Sequence, residues 1–166
     1  MRYLLLIFGL VLAQWLNGQS SQTLEDLIYD QVIFYDYNDG YHGEPKRLFD
    51  RKGNLSNLVT KTIEPEAEDV KALLTALTKK SSFGQAVAAC FDPHFAVVFY
   101  EKGCKVQTIE VCLDCNRVQA GYVLPAQKQH PQGEGDRLYY AGMGMSENFQ
   151  LFINGLLIKY GFSNQL

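Results

Sequence analysis

The chain has 166 residues and a slightly acidic charge balance, with 15 Lys and Arg against 18 Asp and Glu. Its basic residues are scattered in ones and twos, which argues against a nucleic-acid partner because no stripe of positive charge follows a phosphate backbone. Ten Tyr and ten Phe supply the large apolar side chains of one good core and exclude a disordered chain.

The N-terminus has the pattern of a secretory signal peptide. One arginine precedes an apolar run over residues 3–16, and small or polar residues follow at 17–20. The run is too short for a comfortable membrane span. We therefore expect residues 1–18 to be removed and residues 19–166 to form a single globular domain with no transmembrane segment, in a periplasm or outside the cell. The alternative is an N-terminal anchor that is not cleaved.

Three segments have strand patterns. Residues 31–37 are β-branched and aromatic and predict the first strand. Residues 95–100 and 105–113 predict two more strands. Because Gly103 offers the positive φ of a tight turn between them, these two strands are expected to form an antiparallel hairpin over residues 94–113.

The remaining non-helical segments have weaker patterns. Residues 116–123 are a candidate for a further strand. Residues 40–62 are polar and predict mostly irregular structure, and residues 124–145 predict a long loop rich in glycine and proline.

Two segments predict amphipathic helices, over about 65–80 and 147–160. The first has Pro65 in its first turn, acidic residues at its start and an apolar stripe at helical spacing. The second has Ser146 as an N-cap, and Gly161 marks its end. The predicted fold class is α+β, a small antiparallel sheet packed by two helices.

The hairpin constrains how the four cysteines can pair. With a two-residue turn, opposite residues have numbers that sum to 205, so Cys115 lies opposite Cys90 and Cys112 lies nearby. Cys104 sits at the turn, roughly 26 Å of extended strand from Cys112. A disulfide needs Cα atoms within about 7 Å, so Cys104 is predicted to be unpaired.

Three interpretations of the cluster of Cys90, Cys112 and Cys115 remain open. Export favours a structural disulfide from Cys90 to Cys115 or Cys112. A thiol-redox pair at Cys112 and Cys115, with Cys90 as resolving partner, requires the backbone to turn between them, and no helix clearly follows to lower a thiol pKa. A zinc site would use Cys90, Cys112, Cys115 and His94. No cofactor is predicted, and zinc is the alternative.

Three motifs in the second half of the chain resemble a family of uncharacterised exported bacterial proteins with a C-F-x-P … F-Y … C-x-x-C pattern. The matching residues are 90–93, 98–100 and 110–115, with Gly161 and Phe162 after the last helix. The resemblance implies a bacterial envelope and brings no known activity. It also counts against a metal, because the family has its histidine one place later than His94. Cys104 has no counterpart in the family pattern.

The function expected from the sequence is a structural or binding module of the cell envelope, with no catalytic residue assigned and no partner identified. Glu110, on the same strand face as Cys112, is a candidate acid or base, although a solvated strand face explains it as well. Tyrosines around Tyr35 and Tyr37 could line a ligand surface. The alternatives are the thiol-redox protein and the zinc-binding domain.

Overall fold

A five-stranded antiparallel sheet forms the centre of the structure, which is a computed structural model. The described residues are 24–38, 48–50, 52–122, 124–127, 129–132 and 139–166. The predicted signal peptide lies outside them. No helix in these ranges is long and apolar enough to cross a membrane.

The strands of the central sheet are β1 (Gln31–Tyr37), β2 (Val59–Ile63), β4 (Phe95–Glu101), β5 (Cys104–Cys112) and β6 (Arg117–Ala120). They lie in the order β2-β1-β4-β5-β6, and each neighbouring pair is antiparallel. The fold is therefore α+β with an antiparallel sheet, as the sequence predicts. The candidate strand over 116–123 is present in a shorter form.

The predicted hairpin is β4 and β5. Lys102 and Gly103 form its two-residue turn with φ values of 50° and 76°, which match the right-handed twist of the flanking strands. Glu101 faces Cys104, so the numbers sum to 205 beside the turn. A bulge between Phe99 and Tyr100 then shifts the register by one residue.

Both predicted helices are present and are shorter than expected. Helix α1 spans Ala67–Thr78, because Glu66 and Lys79 already have extended backbones. The prediction that Pro65 lies in the first turn is therefore wrong. Helix α2 spans Glu147–Lys159, and its N-cap Ser146 accepts a hydrogen bond from the backbone N–H of Phe149, as expected.

Two segments expected to be irregular contain strands. Strand β2 begins at Val59, inside the segment 40–62, and ends one residue beyond it, and the segment 124–145 holds β7 (Gln129–Gln132), β8 (Tyr139–Gly142) and β9 (Gly144–Met145). Strand β3 (Phe83–Gln85) was also missed; it pairs with β9, and β7 pairs with β8. These strands are two to five residues long, so pairing with another strand rather than local periodicity defines them.

One face of the central sheet packs against both helices, and we call it the helix face. Its aromatic residues interlock edge to face, with the ring centroids of Phe34 and Phe95 5.2 Å apart. The main residues of this core are Val32, Phe34, Phe95, Val97, Phe99, Ile109, Val111 and Val118 from the sheet, and Leu73, Leu77, Phe149, Ile153 and Leu157 from the helices.

The opposite face of the sheet carries a smaller cluster, and we call it the tyrosine face. It contains Tyr35, Tyr37, Ala96 and Val98, packed by Leu48 and its neighbour Phe49. Because side chains alternate along a strand, Thr108, Glu110 and Cys112 of β5 belong to this face, and Gln119 lies beside Glu110 on β6. The candidate site lies here.

Candidate functional site

A buried tyrosine and a carboxylate form the polar centre of the tyrosine face. The hydroxyl of Tyr37, whose side chain is 0% exposed, donates a 3.1 Å hydrogen bond to Glu110 Oε1. Burial raises the pKa of Tyr37 far above its ordinary value, and the charge and hydrogen bond of Glu110 add to the shift, followed by the charges of Cys112 and Asp92. Tyr37 is therefore a neutral hydrogen-bond donor at physiological pH.

His94 extends this polar centre at the start of β4. Its Nδ1 lies 3.2 Å from the carbonyl oxygen of Tyr37, which can only accept a hydrogen bond. Its Nε2 lies 4.0 Å from the carboxylate of Asp92. The backbone N–H of Tyr37 in turn donates to the carbonyl of His94. The imidazole is thus oriented by the neighbouring strand.

Three of the four cysteines lie near the end of β5 that leads into β6. Cys90 and Cys115 form a disulfide, with Cα atoms 5.8 Å apart. Cys112 is an unpaired buried thiol and Cys104 is an unpaired exposed thiol at the hairpin turn. The structure therefore brings together Cys90, Cys112 and Cys115 and leaves Cys104 apart.

A tight turn between β5 and β6 brings Cys112 close to the disulfide. Residues 113–116 form the turn, closed by a 2.9 Å hydrogen bond from the N–H of Asn116 to the carbonyl of Leu113. Asn116 adopts a φ of 51°, a left-handed conformation that asparagine tolerates. The backbone N–H of Cys115 donates to Cys112 Sγ at 3.2 Å. The backbone reversal that a C-x-x-C pair requires is therefore present.

The zinc interpretation gains no support from these contacts. Two of its four candidate ligands, Cys90 and Cys115, are bonded to each other, and His94 hydrogen-bonds to Tyr37. Within the described ranges, no group of three or more His, Cys, Asp or Glu side chains is arranged to hold a metal ion. Zinc binding stays a prediction from the sequence.

A shallow groove of about 360 Å³ lies along the tyrosine face between β5 and β6. Its polar side chains are those of Lys105, Gln107, Thr108, Glu110 and Gln119, so it offers one positive charge, one negative charge, a hydroxyl and two amides. Glu110 connects the groove to Tyr37. Sequence reasoning identified Glu110 but missed Lys105 and Gln119, because they join the groove only through strand pairing.

Comparison with protein-family models, with curated proteins and with solved structures found no match to this chain. The resemblance to exported bacterial proteins therefore stays a prediction.

Proposed function

We propose that the protein is exported to a bacterial envelope and acts there as a binding module whose recognition surface is the tyrosine face. The observation that carries this proposal is the contrast between the two faces of the sheet. Two helices close the helix face, whereas the tyrosine face keeps a groove lined by charged and hydrogen-bonding side chains. Protein binding sites commonly combine apolar walls with a few convergent polar groups.

The groove favours a polar ligand over a lipid. Lys105 and Glu110 carry opposite charges, and Thr108 and Gln119 can both donate and accept hydrogen bonds. A ligand that offers donors and acceptors in an extended array, such as a peptide segment, satisfies these groups better than an acyl chain. The neutral hydroxyl of Tyr37 holds the carboxylate of Glu110 in place for such contacts.

Site-specific photo-crosslinking in the native cells tests this proposal. A photoreactive phenylalanine replaces exposed Gln119 at the groove or, as the matched control, exposed Lys71 on the opposite side of the molecule. We expect a discrete crosslinked adduct from position 119 that position 71 does not give. Equal crosslinking at the two positions, or none at 119, would reject the tyrosine face as the binding surface.

Export is tested separately by the mass of the protein recovered from the envelope fraction. Loss of about residues 1–18 supports export with signal cleavage. A chain that retains its N-terminus and fractionates with the cytoplasm contradicts it.

A thiol-redox activity is the second candidate, favoured by the hydrogen bond from the N–H of Cys115 to Cys112 Sγ. It ranks lower because Cys112 and Cys115 are each only 1% exposed, which keeps a substrate disulfide away from both sulfurs. Reduction of insulin by dithiothreitol is the test. Acceleration by the wild type and not by Cys112→Ser would support the activity, and equal rates would exclude it.

A further inference from the structure

We propose that Cys112 exchanges with the Cys90–Cys115 disulfide inside the folded protein, which creates a second covalent form with a Cys112–Cys115 bond and an exposed Cys90 thiol. The proposal goes beyond the binding function and does not depend on it. It assigns a role to the one buried thiol that the binding surface leaves unused.

The turn at residues 113–116 makes the exchange geometrically accessible. The sulfur of Cys112 already accepts a hydrogen bond from the backbone N–H of Cys115, 3.2 Å away. The sulfur of Cys115 belongs to that same residue, so the thiol lies within one side chain's reach of the disulfide. Cys112 and Cys115 are both shielded from solvent, so an external thiol does not reach Cys115 Sγ and competes only at the exposed Cys90.

The exchange is redox-neutral and consumes no other reactant. The thiolate of Cys112 attacks Cys115 Sγ, the Sγ–Sγ bond between Cys112 and Cys115 forms, and the bond from Cys115 to Cys90 breaks. Cys90 leaves with the electron pair as a thiolate. The proton that Cys112 gives up is balanced by the one that Cys90 takes up. One thiol and one disulfide are present before and after the step.

The exchange would change the segment between β3 and β4, residues 86–94. The disulfide fixes this segment to the turn. Two hydrogen bonds also hold its first half, from the N–H of Ala88 to the carbonyl of Cys115 and from the side-chain amide of Asn116 to the carbonyl of Ala86. Once Cys90 is released, its exposed thiol can exchange with a small-molecule or protein disulfide, which forms a mixed disulfide and releases one thiol of that partner.

Alkylation trapping tests the exchange. The mature Cys104→Ser protein, oxidised and free of reductant, is incubated natively with N-ethylmaleimide, quenched in acid at intervals and mapped by mass spectrometry. Removing Cys104 takes away the exposed thiol that would otherwise react first. We expect a label on Cys90 to accumulate together with a Cys112–Cys115 crosslink, faster at higher pH because the thiolate is the attacking species.

The same experiment on Cys104→Ser/Cys112→Ser is the control, and labelling of Cys90 should then disappear. In Cys104→Ser itself, label confined to Cys112, or a Cys90–Cys115 crosslink that persists in all molecules, overturns the proposal. A Cys90–Cys112 crosslink with label on Cys115 also overturns it, because a different sulfur was attacked. These outcomes stand even if the Cys112 variant does not fold.

Discussion

The two faces of the central sheet use the same strands for different purposes. Along β1, Val32 and Phe34 enter the core of the helix face, and Tyr35 and Tyr37 enter the tyrosine face. Val32 and Phe34 carry no polar group, whereas each of the two tyrosines has a hydrogen-bond partner: Tyr35 OH lies 2.8 Å from Tyr100 OH, and Tyr37 OH donates to Glu110. The two-residue period of the strand therefore places these apolar and hydrogen-bonded side chains on opposite faces of the sheet.

The largest effect is expected in the core of the helix face. Phe34 is 0% exposed, so Phe34→Ala removes a filled aromatic site and should lower the free energy of unfolding by about 3–5 kcal/mol. Gln119→Ala, an exposed change on the tyrosine face, should stay within about 0.5 kcal/mol. Urea unfolding followed by fluorescence measures both. Similar losses in the two variants would contradict the division of roles.

The second-largest effect on the free energy of unfolding is expected from the disulfide beside the tyrosine face. Cys90 and Cys115 are 25 residues apart in sequence, so Cys90→Ala frees the unfolded chain and should lower the free energy of unfolding by about 2–4 kcal/mol. Cys104→Ala is the matched control and should change it by less than about 0.5 kcal/mol. Chemical denaturation of the oxidised proteins compares the two. An equal effect at Cys104 would mean that the assigned pairing is wrong.

Within the tyrosine face, Tyr37→Phe removes the hydroxyl that bonds to Glu110 and should cost about 1–2 kcal/mol at neutral pH. The folded protein raises the pKa of Tyr37 above its ordinary 10.0. The extra free energy of unfolding of the wild type over Tyr37→Phe is therefore complete below pH 10. It shrinks as the pH rises above 10, because Tyr37 then ionises in the unfolded chain and not in the folded protein.

Urea unfolding of both proteins below and above pH 10 measures this difference. A gap between wild type and Tyr37→Phe that widens above pH 10 would contradict the buried, neutral hydroxyl.

The smallest effect is expected where the two helices of the helix face meet solvent. Asp69 accepts hydrogen bonds from Lys159 Nζ at 2.7 Å and from the hydroxyl of Tyr160. Burial alone would raise its pKa, but these two partners hold the pKa below the ordinary 3.8. Asp69→Asn should lower the free energy of unfolding by only about 1 kcal/mol, because Lys159 is partly exposed and solvent screens the ion pair.

The contribution of Asp69 is present above pH 3.8 and is lost as pH falls below it. Acid titration of thermal stability should therefore show a smaller decline in Asp69→Asn than in the wild type. Glu66 is the more exposed of the two carboxylates that bind Lys159, so Glu66→Gln should lower the free energy of unfolding by less than Asp69→Asn does. A larger loss in Glu66→Gln than in Asp69→Asn would contradict the assignment of Asp69 as the main partner of Lys159 and Tyr160.

Local pattern explains which parts of the fold could be predicted. The first strand, the hairpin and both helices have their own periodicity, turn residue or cap, and each appears near its expected bounds. Strand β2 and the strands of the two small sheets are short, so they are defined by pairing with another strand rather than by a pattern of their own. The bulge between Phe99 and Tyr100 has no local signal either.

The site could be predicted in part for the same reason. The hairpin register brought Cys90 near Cys112 and Cys115 from sequence alone. The bond between Tyr37 and Glu110 joins residues 73 positions apart on strands separated by β4, and no local pattern encodes such a contact. Residues that line a groove by strand pairing become visible only when the sheet order is known.

Disulfide mapping of the mature protein from its native compartment tests the central claim most directly. Brief native alkylation, acid quench and a second alkylation after unfolding distinguish exposed from buried thiols. The account predicts a chain that begins near residue 19, a Cys90–Cys115 crosslink, Cys104 alkylated natively and Cys112 only after unfolding. Four alkylated thiols, or a crosslink that includes Cys104, would contradict it.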